Sequence, residues 1–239
     1  MNPILSVEGV SKRFGGIVAV RGVDLVVQPG ELLGLFGPNG AGKTTLFNLV
    51  AGVFPPDVGR IRLDGQDITR VPAFRRAQAG IGRTFQICRP FRSLTVVQNV
   101  LATIPREGAT GPHDAASAAG ILDLVGLGGR AHHSATTLTL GMLKRLEVAR
   151  ALALEPKLLL LDEPLAGLTG GETSDLLLAI AALKSRTTIV LIDHNVRQSL
   201  TVCDRAVVMD AGAIIAAGTP DEIRRDPRVR RAYLGEEAA

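Results

Sequence analysis

The sequence predicts an α/β fold in which helices cover a mostly parallel core sheet, and three observations predict it. The glycine-rich turn Gly37-Pro38-Asn39-Gly40-Ala41-Gly42-Lys43-Thr44-Thr45 separates the short apolar run Leu32-Leu33-Gly34-Leu35-Phe36 from Leu46-Phe47-Asn48-Leu49-Val50-Ala51, which suits a helix. The run Leu158-Leu159-Leu160-Leu161 is apolar without alternation and stops at Asp162-Glu163, as a strand covered on both faces does. Strand-sized and helix-sized segments alternate along most of the chain, the order that builds parallel sheets through crossover helices.

Residues Ile4–Val10 and Val23–Val27 read as strands, with Phe14 between them in the polar stretch Lys-Arg-Phe-Gly-Gly. Pro29-Gly30 turns the chain into the strand before the glycine loop, and a helix starts near Lys43. Arg60–Leu63 is a strand closed by the tight turn Asp64-Gly65. Ala73–Ala79 is a short helix, and Ile81–Gln86 returns as a strand ending at Gln86. Thr95-Val96-Val97-Gln98 has capping-box spacing and opens a helix running to about Ile104. The Gly- and Pro-rich stretch from Pro105 to His113 is a loop, and a second helix covers Ala115–Val125. These two helices interrupt the alternation, so Pro90–Thr137 reads as an inserted helical lobe. Leu143–Leu154 is a helix ended by Glu155-Pro156, and Glu172–Lys184 is another. Thr187–Ile192 is a second buried strand, and Asn195–Val202 is helical. Ala206–Met209 and Ile214–Ala217 form a hairpin around Ala211-Gly212. Thr219-Pro220-Asp221-Glu222 combines a capping box with Pro at the first helical position.

Bulk composition narrows the function classes. The 239 residues hold one large domain or one with an inserted lobe, and 46% hydrophobic content supports a sizeable core. No apolar run approaches the ~18 residues that cross a bilayer. Met1–Ser11 lacks the basic start and apolar middle of a secretory signal, so a cytosolic location is expected. Cys88 and Cys203 have neither metal nor redox spacing and read as reduced residues. His132 and His133 read as solvated, without partners for a metal. Net charge is only +4, and the arginines Arg224, Arg225, Arg228, Arg230 and Arg231 are interleaved with acids, which reads as a solvated helix face rather than a nucleic-acid footprint.

The chemistry gathers at strand ends. Gly37 to Thr45 follows G-x-x-x-x-G-K-T in the strand-to-helix context that a phosphate-binding loop requires. Its glycines let backbone N–H groups close on phosphate oxygens, and the helix dipole points the same way. Lys43 supplies a point charge to the β and γ phosphates, and the Thr44 hydroxyl suits Mg2+. Ligands of open α/β sheets bind beyond the carboxyl ends of strands, where Gln86, Asp162-Glu163 and His194 also lie. Asp162 is placed as an outer partner of Mg2+, and Glu163 to polarise a water for in-line attack. The Gln86 amide oxygen suits Mg2+ or that water, and His194 suits the γ-phosphate or that water. Phe14 is open between stacking on a purine and packing in the core.

In this order the motifs resemble the ATP-binding-cassette (ABC) ATPases, essentially from Ile4 to Gly235. Phe14 matches the adenine-stacking aromatic and Gly37–Thr45 matches Walker A. Arg83-Thr84-Phe85-Gln86 matches the Q-loop, and Leu158–Glu163 matches Walker B with its catalytic glutamate. Ala166-Gly167-Leu168 begins the D-loop, and His194 matches the switch histidine. Within the family, Lys12-Arg13-Phe14-Gly15-Gly16, the Q-loop residues, Gly218-Thr219-Pro220 and Ala232-Tyr233-Leu234-Gly235 are similar to importer ATPases for branched-chain amino acids.

The resemblance implies a P-loop NTPase fold of the ABC type. Residues 1–239 form a single ABC ATPase domain: 1–89 and 138–239 supply the RecA-like core and an antiparallel β subdomain, and 90–137 the helical subdomain. It implies ATP and Mg2+ as cofactors, nucleotide binding by Phe14 and by Gly37, Pro38, Asn39, Gly40, Ala41, Gly42, Lys43, Thr44 and Thr45, catalysis by Glu163, His194, Lys43 and Gln86, and metal contact by Thr44, Gln86 and Asp162. Thr139, Leu140 and Gly141 face the opposite subunit. Implied partners are integral-membrane permease subunits, a second ABC ATPase subunit (identical or a paralogue) and, indirectly, a solute-binding protein outside the membrane, with no nucleic acid. The location is the cytoplasmic face of the cell membrane. Three departures stand out: the signature Leu-Ser-Gly-Gly-Gln is Leu138-Thr139-Leu140-Gly141-Met142 here, Thr169 replaces the usual D-loop Asp or Asn, and the stretch from Ile104 to Thr137 looks short. A soluble ABC protein acting on nucleic acid or the ribosome, and a weakly hydrolysing regulatory module, are the competing readings.

Overall fold

The computed structural model describes residues 2–85, 87–104 and 115–237. The chain opens with the strands β1 (Leu5–Phe14), β2 (Ile17–Val27) and β3 (Leu32–Phe36), then helix α1 (Lys43–Ala51). Strands β4 (Val58–Leu63) and β5 (Gln66–Asp67), helix α2 (Ala73–Gln78) and strand β6 (Ile81–Arg83) follow. Helices α3 (Val96–Leu101), α4 (Ala115–Leu124) and α5 (Leu140–Leu152) precede β7 (Leu158–Asp162), α6 (Gly170–Ala182), β8 (Thr188–Ile192) and α7 (Val196–Ser199). The hairpin β9 (Arg205–Asp210) and β10 (Ala213–Gly218) leads to α8 (Pro220–Arg225) and α9 (Pro227–Glu237).

Two sheets result. One is antiparallel, in the order β2-β1-β4-β5; the other runs β10-β9-β3-β8-β7-β6 and is parallel except for β10. Registers in the second sheet place Leu35 beside Ile192 and Ile192 beside Asp162, so three strands finish in one row. The segments just beyond that row are the glycine loop, Glu163 and His194.

Side-chain alternation splits the core between the two faces of this sheet. Leu33, Leu35, Leu158, Leu160, Val190 and Ile192 pack with α1 residues Leu46, Phe47, Leu49 and Val50 and with the antiparallel sheet. Leu32, Phe36, Leu159, Leu161, Ile189 and Leu191 pack on the other face with α5, α6 and the helices α3 and α4. Strands covered on both faces explain why their sequences lack polar alternation.

Most expected elements are present, with corrected ends. β1 continues to Phe14, because Gly15-Gly16 forms the hairpin turn into Ile17. β6 stops at Arg83 rather than at Gln86, after pairing with Leu158–Leu160; Gln86 lies outside the described residues, as does the expected loop from Pro105 to His113. Helix α5 starts earlier than expected because Thr139 caps it, accepting the N–H of Met142, and α6 starts earlier because Thr169 and Glu172 form a capping box. The boxes at Thr95/Gln98 and Thr219/Glu222 are both formed. The two-residue strand β5 was not read from the sequence, and the arginine-bearing helix face near the end divides between α8 and α9. No helix among the described residues is long and apolar enough to cross a membrane. His132 and His133 are exposed, and both cysteines are free.

Candidate functional site

The glycine loop leaves β3 through Gly37 (φ 145°) and enters α1 at Gly42 (φ 97°). Neither position tolerates a side chain: a Cβ on Gly37 would run into the Met209 carbonyl oxygen, and one on Gly42 into that of Ala19. Glycine therefore serves both the backbone conformation and the close approach of neighbouring chain. Helix α1 starts with no side-chain cap and no acidic residue in its first turn, so its dipole end is left to an anion without competition from the helix's own side chains. Lys43 is buried, and its Nζ donates to the carbonyl oxygens of Gly37 (2.7 Å) and Pro38 (2.8 Å), which holds the ammonium against the loop.

A cleft of about 370 Å³ is lined by Asn39, Gly40, Ala41, Gly42, Lys43, Thr44 and Thr45 together with Glu163 and His194. Residues far apart in the chain thus meet around one space, which is what the strand register dictates. Glu163 follows β7 in the left-handed region at φ 49°, a conformation costly for a residue with a Cβ. Two contacts hold it there: its N–H donates to the Ile192 carbonyl (2.9 Å), and Lys144 Nζ on α5 donates to its carbonyl (3.1 Å). The turned backbone directs its carboxylate to His194, with Oε1 2.8 Å from Nε2. Asp193 anchors the same corner, accepting the N–H groups of Leu165 (3.1 Å) and Asn195 (2.8 Å). Burial raises its carboxyl above the ordinary 3.8, against the lowering effect of those two N–H groups.

Asp162 is buried and faces a different space, a groove of about 650 Å³ that it lines with Thr44, Asn48, Arg83, Phe85, Glu147 and Arg150. Thr44 borders both cavities. A hydroxyl and a carboxylate at their junction are hard oxygen donors of the kind Mg2+ takes, so the residues present fit such an ion. Asp162 Oδ2 already accepts from Arg83 NH2 at 3.0 Å, and its backbone N–H donates to Thr84 Oγ1 at 3.1 Å.

The remaining expected residues lie elsewhere. Phe14 is exposed at the end of β1, edge-on to Phe54 with ring centroids 5.3 Å apart and with Lys12 Nζ 5.7 Å from its centroid. Its strand partner Ile17 lines the cleft, whereas Phe14 does not. Thr139, Leu140 and Gly141 form the first turn of α5 and do not line the cleft; Leu140 is exposed, with its Cδ2 close to where a Cβ on Gly167 would be. Thr169 is explained by its position as the cap of α6, a role that Thr, Asp and Asn all fill. Reading the sequence placed Arg83 in the Q-loop motif without giving it a role, and missed Asn48 and Lys144. Arg83 carried one available signal: a charged residue ending a covered strand needs an acidic partner.

The comparisons agree with this geometry. The ABC transporter family model matches residues 20–166, more than half of the chain. The chain belongs to the ABC transporter ATP-binding family. A second family model, described as branched-chain amino acid ATP-binding cassette transporter, matches residues 213–239. The chain is 42% identical to the high-affinity branched-chain amino acid transport ATP-binding protein BraF of Pseudomonas aeruginosa, over 98% of each chain. It is also 42% identical to the lipopolysaccharide export system ATP-binding protein LptB of Haemophilus influenzae, again over 98% of each. A crystal structure of the ADP conformation of an ATP-binding cassette of an ABC transporter superposes with a TM-score of 0.89 at 31% identity, covering 98% of this chain and 100% of that one. The ABC ATPase fold expected from the motifs is the fold observed.

Proposed function

We propose that this chain is an ATP-hydrolysing subunit of an importer for branched-chain amino acids or a related small polar solute. The observation that carries the reading is the single cleft in which the glycine loop, Glu163 and His194 meet. Backbone N–H groups of the loop and the start of α1 bind phosphate oxygens, and Lys43 neutralises charge on the transferring phosphoryl. Glu163 accepts a proton from, or orients, the attacking water, and His194 holds its carboxylate in place. Thr44 and Asp162, with Gln86 expected as a further contact, would hold a Mg2+ ion, which would supply charge stabilisation to the transferring phosphoryl.

Residues 1–89 and 138–239 serve as the nucleotide-binding core, and 90–137 as the lobe that docks a membrane permease. Two such subunits, identical or paralogous, close over two ATP molecules, with Thr139, Leu140 and Gly141 of each reaching the other's nucleotide. The assembly sits on the cytoplasmic face of the membrane and takes solute from a binding protein outside it. The matches to BraF and to the branched-chain amino acid family model support the solute class.

Glu163→Gln is expected to keep ATP affinity, to lower turnover by about 10²-fold or more, and to accumulate an ATP-bound dimer in size-exclusion chromatography. Unchanged turnover sinks the assignment. Cells lacking the chain should lose uptake of labelled leucine; undiminished uptake overturns the solute class.

A further inference from the structure

We propose that Arg83 is a positioning residue for the divalent ion: it fixes the direction of the Asp162 carboxylate and ties it to the helix that carries Lys43 and Thr44. This rests on the nucleotide-site reading above and adds a residue which that reading does not use.

Arg83 ends β6, the edge strand of the parallel sheet, with its side chain only 13% exposed. One guanidinium nitrogen, NH2, donates to Asp162 Oδ2 at 3.0 Å; the other, NH1, donates to Asn48 Oδ1 at 2.6 Å. Asn48 lies four residues after Thr44 on α1, one turn along the same face. The planar fork of a guanidinium spans two acceptors at fixed spacing, which a single ammonium cannot. Next to it, Thr84 Oγ1 accepts the backbone N–H of Asp162 (3.1 Å), so the end of β6 grips Asp162 by main chain and side chain together. Without that grip a buried carboxylate would turn toward another donor, and Arg83 decides which way it faces. Partners that orient a metal-binding carboxylate typically change metal affinity 10- to 100-fold.

The groove reaches the same arginine from outside. The Phe85 ring lies over the guanidinium, 5.4 Å from centroid to Cζ, and is exposed. Phe85, exposed, and Asp162, buried, thus line the same groove on either side of Arg83's contacts.

The test measures ATP binding by the full chain with Mg2+ and in EDTA, and Mn2+ binding to the ATP complex by electron paramagnetic resonance. Arg83→Met is expected to leave affinity for metal-free ATP nearly unchanged and to weaken Mn2+ binding about 10- to 100-fold. Arg83→Lys, which keeps the charge but cannot span Asp162 and Asn48 together, should recover only part of that loss. Wild-type Mn2+ affinity in Arg83→Met overturns the proposal, as do equal losses with and without metal, which mark a merely structural role. Should Arg83→Met fail to fold, Asn48→Ala provides the second arm. It spares the Arg83–Asp162 pair but frees it from α1, and is expected to weaken Mn2+ severalfold; no change there overturns the tie to the helix. A wild-type chain that binds no ATP in either condition overturns the nucleotide-site reading itself.

Discussion

Helices α1 and α6 both cover the parallel sheet, yet their N-terminal ends are finished in opposite ways. Thr169 and Glu172 close α6 reciprocally, so the first donors of that helix are satisfied within the chain. α1 begins in a left-handed glycine with no side-chain cap and no acid in its first turn, and the charge held against the loop before it is the ammonium of Lys43. The C-terminal end of α1, by contrast, is sealed from inside. Arg76 is almost fully buried and donates to the carbonyls of Leu49 (2.6 Å), Val50 (2.8 Å), Thr69 (3.1 Å) and Val71 (2.7 Å). Burial lowers its pKa to about 10, which leaves it charged throughout the neutral range. The chain thus has the means to close a helix end, and an end it leaves open is reserved for something foreign.

Breaking the closed end should have the largest effect. Arg76→Leu strips four carbonyls, two of them buried, of a charged donor and is expected to cost about 3–5 kcal/mol of stability in urea melts. ATP affinity of the protein that remains folded should change little. Lys43→Ala should do the reverse, lowering ATP affinity at least about 100-fold, or ~2.7 kcal/mol, by calorimetry with little change in melting temperature. If both variants lost stability and binding together, the contrast between the two ends would fail. Gly52→Ala is smaller: the C-cap glycine sits at φ 77°, and a Cβ there would press on Arg76 Nε at 2.7 Å. About 1–2 kcal/mol of destabilisation is expected, without loss of binding.

Thr169→Ala should show the smallest effect, a modest drop in melting temperature at neutral pH. Hydrogen bonds from the Thr169 backbone and side chain hold the Glu172 carboxyl below its ordinary 4.5. A folded-state pKa lowered in this way stabilises the fold above the ordinary value, and that contribution is lost as pH falls through the lowered one. The difference between Thr169→Ala and wild type should therefore shrink on acidification. A difference independent of pH would mean that the carboxylate takes no part in closing α6.

Strand identity was legible because it depends on local pattern. Leu158–Leu161 and Thr187–Ile192 announce cover on both faces, and the polar residue after each announces a strand end. The glycine loop was legible for the same reason, since its chemistry and conformation are written in nine consecutive residues. Arg83 was legible as part of a motif but its role was not, because its two partners lie 35 and 79 positions away and only the order of strands brings them together. Lys144 was hidden similarly: it acts on a carbonyl, which has no letter in the sequence. Capping boxes fell between these cases. Those at Thr95 and Thr219 were read directly, whereas Thr169 was weighed against a family pattern and its spacing to Glu172 passed over.

The grip of Lys144 on the Glu163 carbonyl has one more outcome. Its side chain belongs to α5, the helix whose first turn is Thr139-Leu140-Gly141. Through the Lys144 side chain, α5 is therefore joined to the main chain of the proposed water-activating residue.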